Sequence, residues 1–382
     1  MQEPVVQELW AQRADAAEGA VVARHVRRLW ALPGTALGVI AWPPNKRERL
    51  FFRWHYWWQA HLLDCAVDAA SREPTAKRRR RVAKIARAHR IRNITGWTNN
   101  YYDDMAWLGL ALERAQRLHA VGNRTGIAQI EMELFDAWSP EAGGGIPWRK
   151  GDDFFNAPAN GPAAILLART GRLWRAQAMA DWMDAKLRDQ ETGLILDGIR
   201  TGGTTRADAG VLDRAIYSYC QGVVLGVETE LAARLGAPRH NERVHALVAA
   251  VESRICRNLV IVGGGGGDGG LFGGILARNL ALVATTLPGD SDEDKAARTL
   301  AAAIVLASAE AAWENRLEVE DHPLFGAAWE TEARLPGPGH TMAAFSGGTV
   351  RSSARPERDF AVQLSGWMLM EAAHVVAAAG YR

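Results

Sequence analysis

The feature that most constrains the fold is a repeated alternation along the whole chain. Stretches with apolar residues at helical spacing are separated by loops rich in glycine, proline, polar and aromatic residues. Val5–Leu29, Tyr56–Ala70 and Lys77–Arg92 read as helices, followed by one that opens at Asp103 and runs to Leu118. Further helices are expected over Ile127–Trp138, Ala163–Ala168, from Gly171 to Leu187, and from Tyr217 to Leu235. Arg239–Val260, Leu271–Leu287, Ser291–Asn315 and Phe360–Ala379 complete the series, with turns at Leu32-Pro33-Gly34, Gly193–Gly198 and Gly202-Gly203. Alternation of period two is nearly absent. Helical hairpins of roughly 50 to 60 residues recur, and about six of them fill the length. The expectation is an all-α chain, a single toroid of helical hairpins over residues 1–382, whose inter-helix loops gather at a funnel on one end.

Composition narrows the function. A formal net charge of +2 argues against a surface that binds nucleic acid as a whole. Three cysteines, Cys65, Cys220 and Cys256, lack close metal-ligand spacing and argue against a disulfide framework. The chain has 15 Trp against 9 Phe and 6 Tyr, and indoles suit the apolar faces of sugars as well as a large core. No apolar segment reads as long and charge-free enough to span a bilayer. The first residues are too polar for a signal core, so the expected location is cytoplasmic as the chain is written, and exported if a leader precedes it.

Thr98–Leu112 carries the chemistry. Polar capping residues lead into two adjacent carboxylates, Asp103 and Asp104, and then into the apolar pattern of Met105, Leu108 and Leu112. Both aspartates fall in the first turn of a helix, where the terminus favours negative charge, and adjacent side chains diverge by about 100° so that both can border one cavity. Aspartates in a first turn are also common as plain structure. The aromatic run Trp54–Gln59 reads as cleft lining or as core, and the basic run Lys77–Arg92 as an amphipathic helix with a solvated face in preference to a contact for nucleic acid or anionic lipid. Gly143-Gly144-Gly145-Ile146-Pro147-Trp148-Arg149 lacks a preceding strand and a nucleotide-binding signature, so it reads as a loop that brings Trp148 to a ligand. Asn156 and Asn160 are either helix caps or amides aimed at a hydroxyl-rich ligand.

Taken together, these segments resemble glycoside hydrolase family 76. Tyr102-Asp103-Asp104-Met105-Ala106-Trp107 is similar to its paired-aspartate segment, and the Gly143–Arg149 loop, Asn156 and Asn160 follow in the family's order. Tyr219-Cys220-Gln221-Gly222-Val223 resembles a family segment with Cys220 in place of asparagine, and Asp268 with Phe272–Arg278 resembles a later one with Gly273 in place of lysine. The resemblance implies an (α/α)6 barrel, a retaining hydrolase of α-1,6-linked mannosides, Asp103 as nucleophile and Asp104 as general acid/base. It also implies a substrate of α-mannan or α-1,6-mannooligosaccharide, with no cofactor and no metal. Trp97, Tyr101, Trp148 and Tyr219 are expected as aromatic walls, Asn156, Asn160 and Gln221 as hydrogen-bonding amides, and Arg278 as a substrate contact or an orienting cation.

Three rivals share these residues. A mannosyl transferase would capture the same covalent intermediate with a sugar. A non-catalytic glycan-binding protein would keep the aromatics and amides and survive loss of both aspartates. A terpene synthase would use the acidic pair to hold magnesium diphosphate, but Trp107 and Leu108 stand where its polar continuation is needed. Stable membrane insertion and nucleic-acid binding are not expected.

Overall fold

The computed structural model describes residues 3–119, 121–202, 210–337, 345–346 and 348–382. Thirteen α-helices occur among the described residues. They are α1 (Glu3–Arg24), the single turn α2 (Lys46–Arg49), α3 (Tyr56–Arg72), α4 (Ala76–Arg92), α5 (Tyr102–His119), α6 (Arg124–Asp136) and α7 (Ala157–Arg169). The rest are α8 (Leu173–Leu187), α9 (Ser218–Leu235), α10 (Pro238–Ile255), α11 (Phe272–Thr286), α12 (Asp292–Glu314) and α13 (Phe360–Ala378).

Alternate long helices form an inner ring in which α3 packs on α5, α5 on α7, α7 on α9, α9 on α11, α11 on α13, and α13 back on α3. Each is backed by an outer helix next to it in sequence: α4 on α3, α6 on α5, α8 on α7, α10 on α9 and α12 on α11. The sixth outer position is filled from the other end of the chain, by α1 against α13. This is the expected (α/α)6 barrel.

The two layers differ in sequence because they differ in solvent. Every residue from Ala157 to Ala168 in α7 is buried, and α13 is buried along nearly its whole length, as a helix apolar all round must be. Outer α10 buries only one stripe, which includes Val244, Leu247, Val248 and Val251. Where inner helices approach closely, glycine is required: a Cβ at Gly222 of α9 would lie 2.9 Å from the Leu276 Cα of α11. By length and composition α12 and α13 do qualify as bilayer-spanning helices, contrary to the sequence reading, but α13 is a member of the buried inner ring.

Three helix boundaries depart from expectation by five residues or more, each for a local reason. The first helix stops at Arg24, not Leu29, because the buried His25 ring bonds the Val39 carbonyl and the chain turns into a two-residue strand paired with Leu37–Gly38. The tenth stops at Ile255 because Asn258 and Leu259 adopt positive φ and fold Cys256–Ile261 into a tight hairpin. In the opposite sense, α7 begins six residues early: Pro158 sits in its first turn, where a missing N–H costs nothing, and Pro162 is accommodated inside it. A small antiparallel sheet of residues 154–156, 198–200 and 211–213 lies ahead of α7. The turn expected at Gly202-Gly203 runs into residues outside the described ones.

Candidate active site

Five inner helices, α3, α5, α7, α9 and α11, begin at one end of the barrel. The residues at their starts, with the 154–156 sheet and residues 348–351, line a cleft of about 800 Å³. Helix N-termini favour negative charge, and the cleft holds Asp103, Asp104, Asp197, Asp213 and Asp268.

Asp103 and Asp104 occupy the first turn of α5 as expected. The loop after α6 is laid along this turn by backbone bonds, Tyr102 N–H to the Trp148 carbonyl (2.9 Å) and Lys150 N–H to the Asn100 carbonyl (2.9 Å), and is tied to the strand 154–156 by Trp148 N–H to the Phe154 carbonyl (2.7 Å). Trp148 is thereby delivered to the pair, and its indole donates to Asp103 Oδ2 at 2.8 Å. The triglycine holds the loop's other end against the protein: Gly145 has φ +82°, and a Cβ there would meet the Trp182 ring at 2.8 Å.

The two carboxylates have unlike surroundings. Asp103 accepts from Trp148 on one oxygen and from the Asp104 backbone N–H on the other (2.7 Å), so both oxygens are held. Asp104 Oδ2 accepts from the Asn99 amide at 2.6 Å, and Asn99 is fixed in turn by accepting from the Tyr101 N–H at 2.8 Å. Both aspartates reach only the cleft and are otherwise walled by protein. Burial pushes both above the ordinary carboxylate range; the donors on Asp103 partly oppose this, whereas the neighbouring Asp103 charge drives Asp104 higher still.

Of the other expected site residues, Tyr101, Trp148, Asn156 and Tyr219 line the cleft. Tyr101 meets Trp148 edge to face at 5.3 Å, and Tyr219 stacks flat on Phe272 at 3.9 Å. Asn156 also caps α7 by accepting from the Ala159 N–H. Four residues are placed elsewhere. Trp97 is buried against Gly126, away from the cleft. Asn160 is fully buried and spends its amide on the Ile146 N–H and the Ile146 and Asn156 carbonyls. Gln221 is likewise enclosed and clamps Ile195 N–H and C=O and the Tyr217 carbonyl. These amides position the loops that carry Trp148 and Tyr217 and have no donor left for a sugar. Arg278 pairs with Asp64 and Asp68 in a separate cavity of about 170 Å³, beyond His61 and Trp107.

Sequence reasoning passed over Asn99, Asp197 and Asp213, and assigned no role to Asp268. Asp268 accepts from the Trp57 and Trp58 indoles (3.0 and 2.9 Å) and from the Val350 N–H (2.6 Å). Burial still raises it to about 6. Burial and the neighbouring Asp213 raise Asp197 to about 7. Asn99, set between Thr98 and the acidic pair, was the one findable signal; the others come from distant loops. Among the described residues no group of three or more His, Cys, Asp and Glu side chains is arranged to hold a metal ion.

The sequence model of glycosyl hydrolase family 76 matches residues 13–359. An α-1,6-mannanase of Salegentibacter sp. HEL1_6 is 26% identical, with 96% of this chain and 99% of that one superposed at a TM-score of 0.79. An inactive variant of that enzyme, with two adjacent aspartates replaced by asparagine, has been solved with α-1,6-mannotriose; it is 25% identical over 96% and 99% of the two chains, TM-score 0.79. A protein of Listeria innocua, 22% identical over 98% and 99%, shares the fold at a TM-score of 0.78. No functionally curated protein matches the sequence.

Proposed function

Because the chain belongs to glycosyl hydrolase family 76, we propose that it hydrolyses α-1,6-linked mannosides with retention of configuration, residues 1–382 acting as one catalytic domain. The observation that carries the reading is the asymmetry of the aspartate pair. Asp103 receives two donors, which favour its ionised form and aim it, as a nucleophile needs. Asp104 receives one side-chain amide and is driven upward by its neighbour, which keeps a proton on it for the leaving oxygen. Asp103 attacks the anomeric carbon as Asp104 protonates the departing glycosidic oxygen; Asp104, now ionised, takes a proton from the water that releases the sugar from Asp103.

A cleft of about 800 Å³ has room for an oligosaccharide segment, and the Tyr101, Trp148, Tyr219 and Phe272 rings supply apolar faces for it. The neighbour solved with α-1,6-mannotriose supports this choice of sugar. The test is NMR of the first product formed from α-1,6-mannooligosaccharides. Initial release of the α-anomer is expected; initial release of the β-anomer would replace retention by inversion, and chain extension dominating at every substrate concentration would make the enzyme a transferase.

A further inference from the structure

We propose that the flank of the barrel beside the cleft is a docking surface for an anionic lipid bilayer. Residues 24–53 and helix α4 (residues 76–92) are dense in Arg and Lys and hold a single acid, Glu48, which is buried and paired with Arg358. With the whole chain at +2, the rest of the protein is net negative, so the positive charge is concentrated on this flank.

The sequence reading of α4 as an amphipathic helix with a solvated face covers only part of what is seen. Arg78 and Arg81 turn inward to Asp15, Glu18 and Glu73. Lys77, Lys84, Arg27 and Arg28 instead face outward and border a shallow basic recess of about 260 Å³, which the Glu18-paired Arg81 also lines. Among the described residues none of these four, nor Arg80 on the same stripe, pairs with a carboxylate.

An apolar knob adjoins this basic field. Trp30 is 50% exposed, Leu50 51% and Phe52 67%. They form one cluster: the Trp30 indole donates to the Leu50 carbonyl at 2.9 Å, and the Arg92 guanidinium bonds the Phe51 and Phe52 carbonyls. Trp30 is held at positive φ (47°), a backbone that bulky residues rarely adopt, so its loop is bent to present the ring, while Phe51, also at positive φ (57°), turns inward and is buried beneath the exposed residues as their anchor. Large apolar groups projecting from a basic field match the two components of a membrane surface, acyl chain and anionic headgroup. Nucleic acid fits less well, because Arg92 lies over the Trp30 ring (5.8 Å) and Leu50 offers no face for base stacking. Phe52 is three residues from His55, which lines the cleft, so docking would hold the cleft's mouth beside the bilayer.

The test is co-sedimentation of the full chain with phosphatidylcholine vesicles, with and without phosphatidylglycerol. Binding is expected only to the anionic vesicles and is expected to fall with added salt. Lys77→Glu/Arg80→Glu/Lys84→Glu should weaken partition by about a hundredfold, and Phe52→Ser by about tenfold, with turnover of a soluble mannoside unchanged in both. Failure to bind anionic vesicles, or binding indifferent to both variants, overturns the proposal. Duplex DNA bound more tightly than vesicles, with Phe52→Ser unaffected, would assign the surface to nucleic acid instead.

Discussion

The two ends of the barrel each gather carboxylates inside the inner ring and treat them oppositely. In the small cavity, Asp64 and Asp68 are bridged by two arginines, Arg114 from α5 and Arg278 from α11. Burial alone would raise Asp64, and the two guanidiniums overcome it and hold the carboxyl well below the usual range. In the cleft, Asp103, Asp104 and Asp268 are met by indoles, an amide and backbone N–H groups, and burial leaves all three raised. Neutral donors orient a carboxylate without fixing its charge. One end uses cations to lock helices together; at the other, Asp103, Asp104 and Asp268 have no cation paired with them among the described residues, and their charge stays open to change.

The sharpest break in this comparison is Asp103→Asn, for which turnover should fall by at least about four orders of magnitude with the fold intact. Normal turnover in a folded Asp103→Asn protein would sink the nucleophile assignment. Next in size, Arg278→Met leaves two buried carboxylates to one guanidinium and should cost about 3–5 kcal/mol in urea unfolding, while kcat at low temperature stays near wild type. A large fall in kcat without loss of stability would mean that Arg278 acts on the cleft after all.

Trp148→Phe removes a donor and keeps most of the ring, so kcat should drop about 10- to 100-fold. Because that indole favours ionised Asp103, its loss should also move the acid limb of the pH–rate profile upward; a limb that stays put would show that Trp148 only shapes the cleft. The smallest effect concerns stability. Raised carboxyls such as Asp268, at about 6, make the folded state bind more protons than the unfolded one, so their contribution is lost as pH rises from about 4 through that range. Asp64, depressed, behaves inversely and is lost in acid. Replacing both Asp103 and Asp104 by Asn should therefore raise Tm by about a degree or two at pH 8 and less at pH 4, read by calorimetry.

Helical period and loop punctuation were enough to read the ring architecture, because helical hairpins of similar length recur along the chain and about six of them fill it. The aspartate pair and Trp148 were legible because α5's first turn and one loop carry them within a short span. Asn160 and Gln221 misled, since an amide in a motif looks the same in sequence whether it binds a sugar or a backbone. Trp97 misled in the same way, as a ring near the pair that proved to be core. Asp197 and Asp268 were illegible as site residues for a different reason: their position depends on the ring closing, which brings residues far apart in sequence to one cleft.

That closure has a consequence for how the chain must assemble. Five of the six inner contacts join helices that follow one another in order, so each can form as soon as its second member exists. The sixth, α13 on α3, and the buried ion pair Arg72–Glu371 that fastens it, join residues 299 positions apart. During synthesis the ring stays an open arc whose apolar edges are exposed until α13 arrives, so loss of that last helix would leave an unsealed, aggregation-prone crescent in place of a slightly smaller barrel.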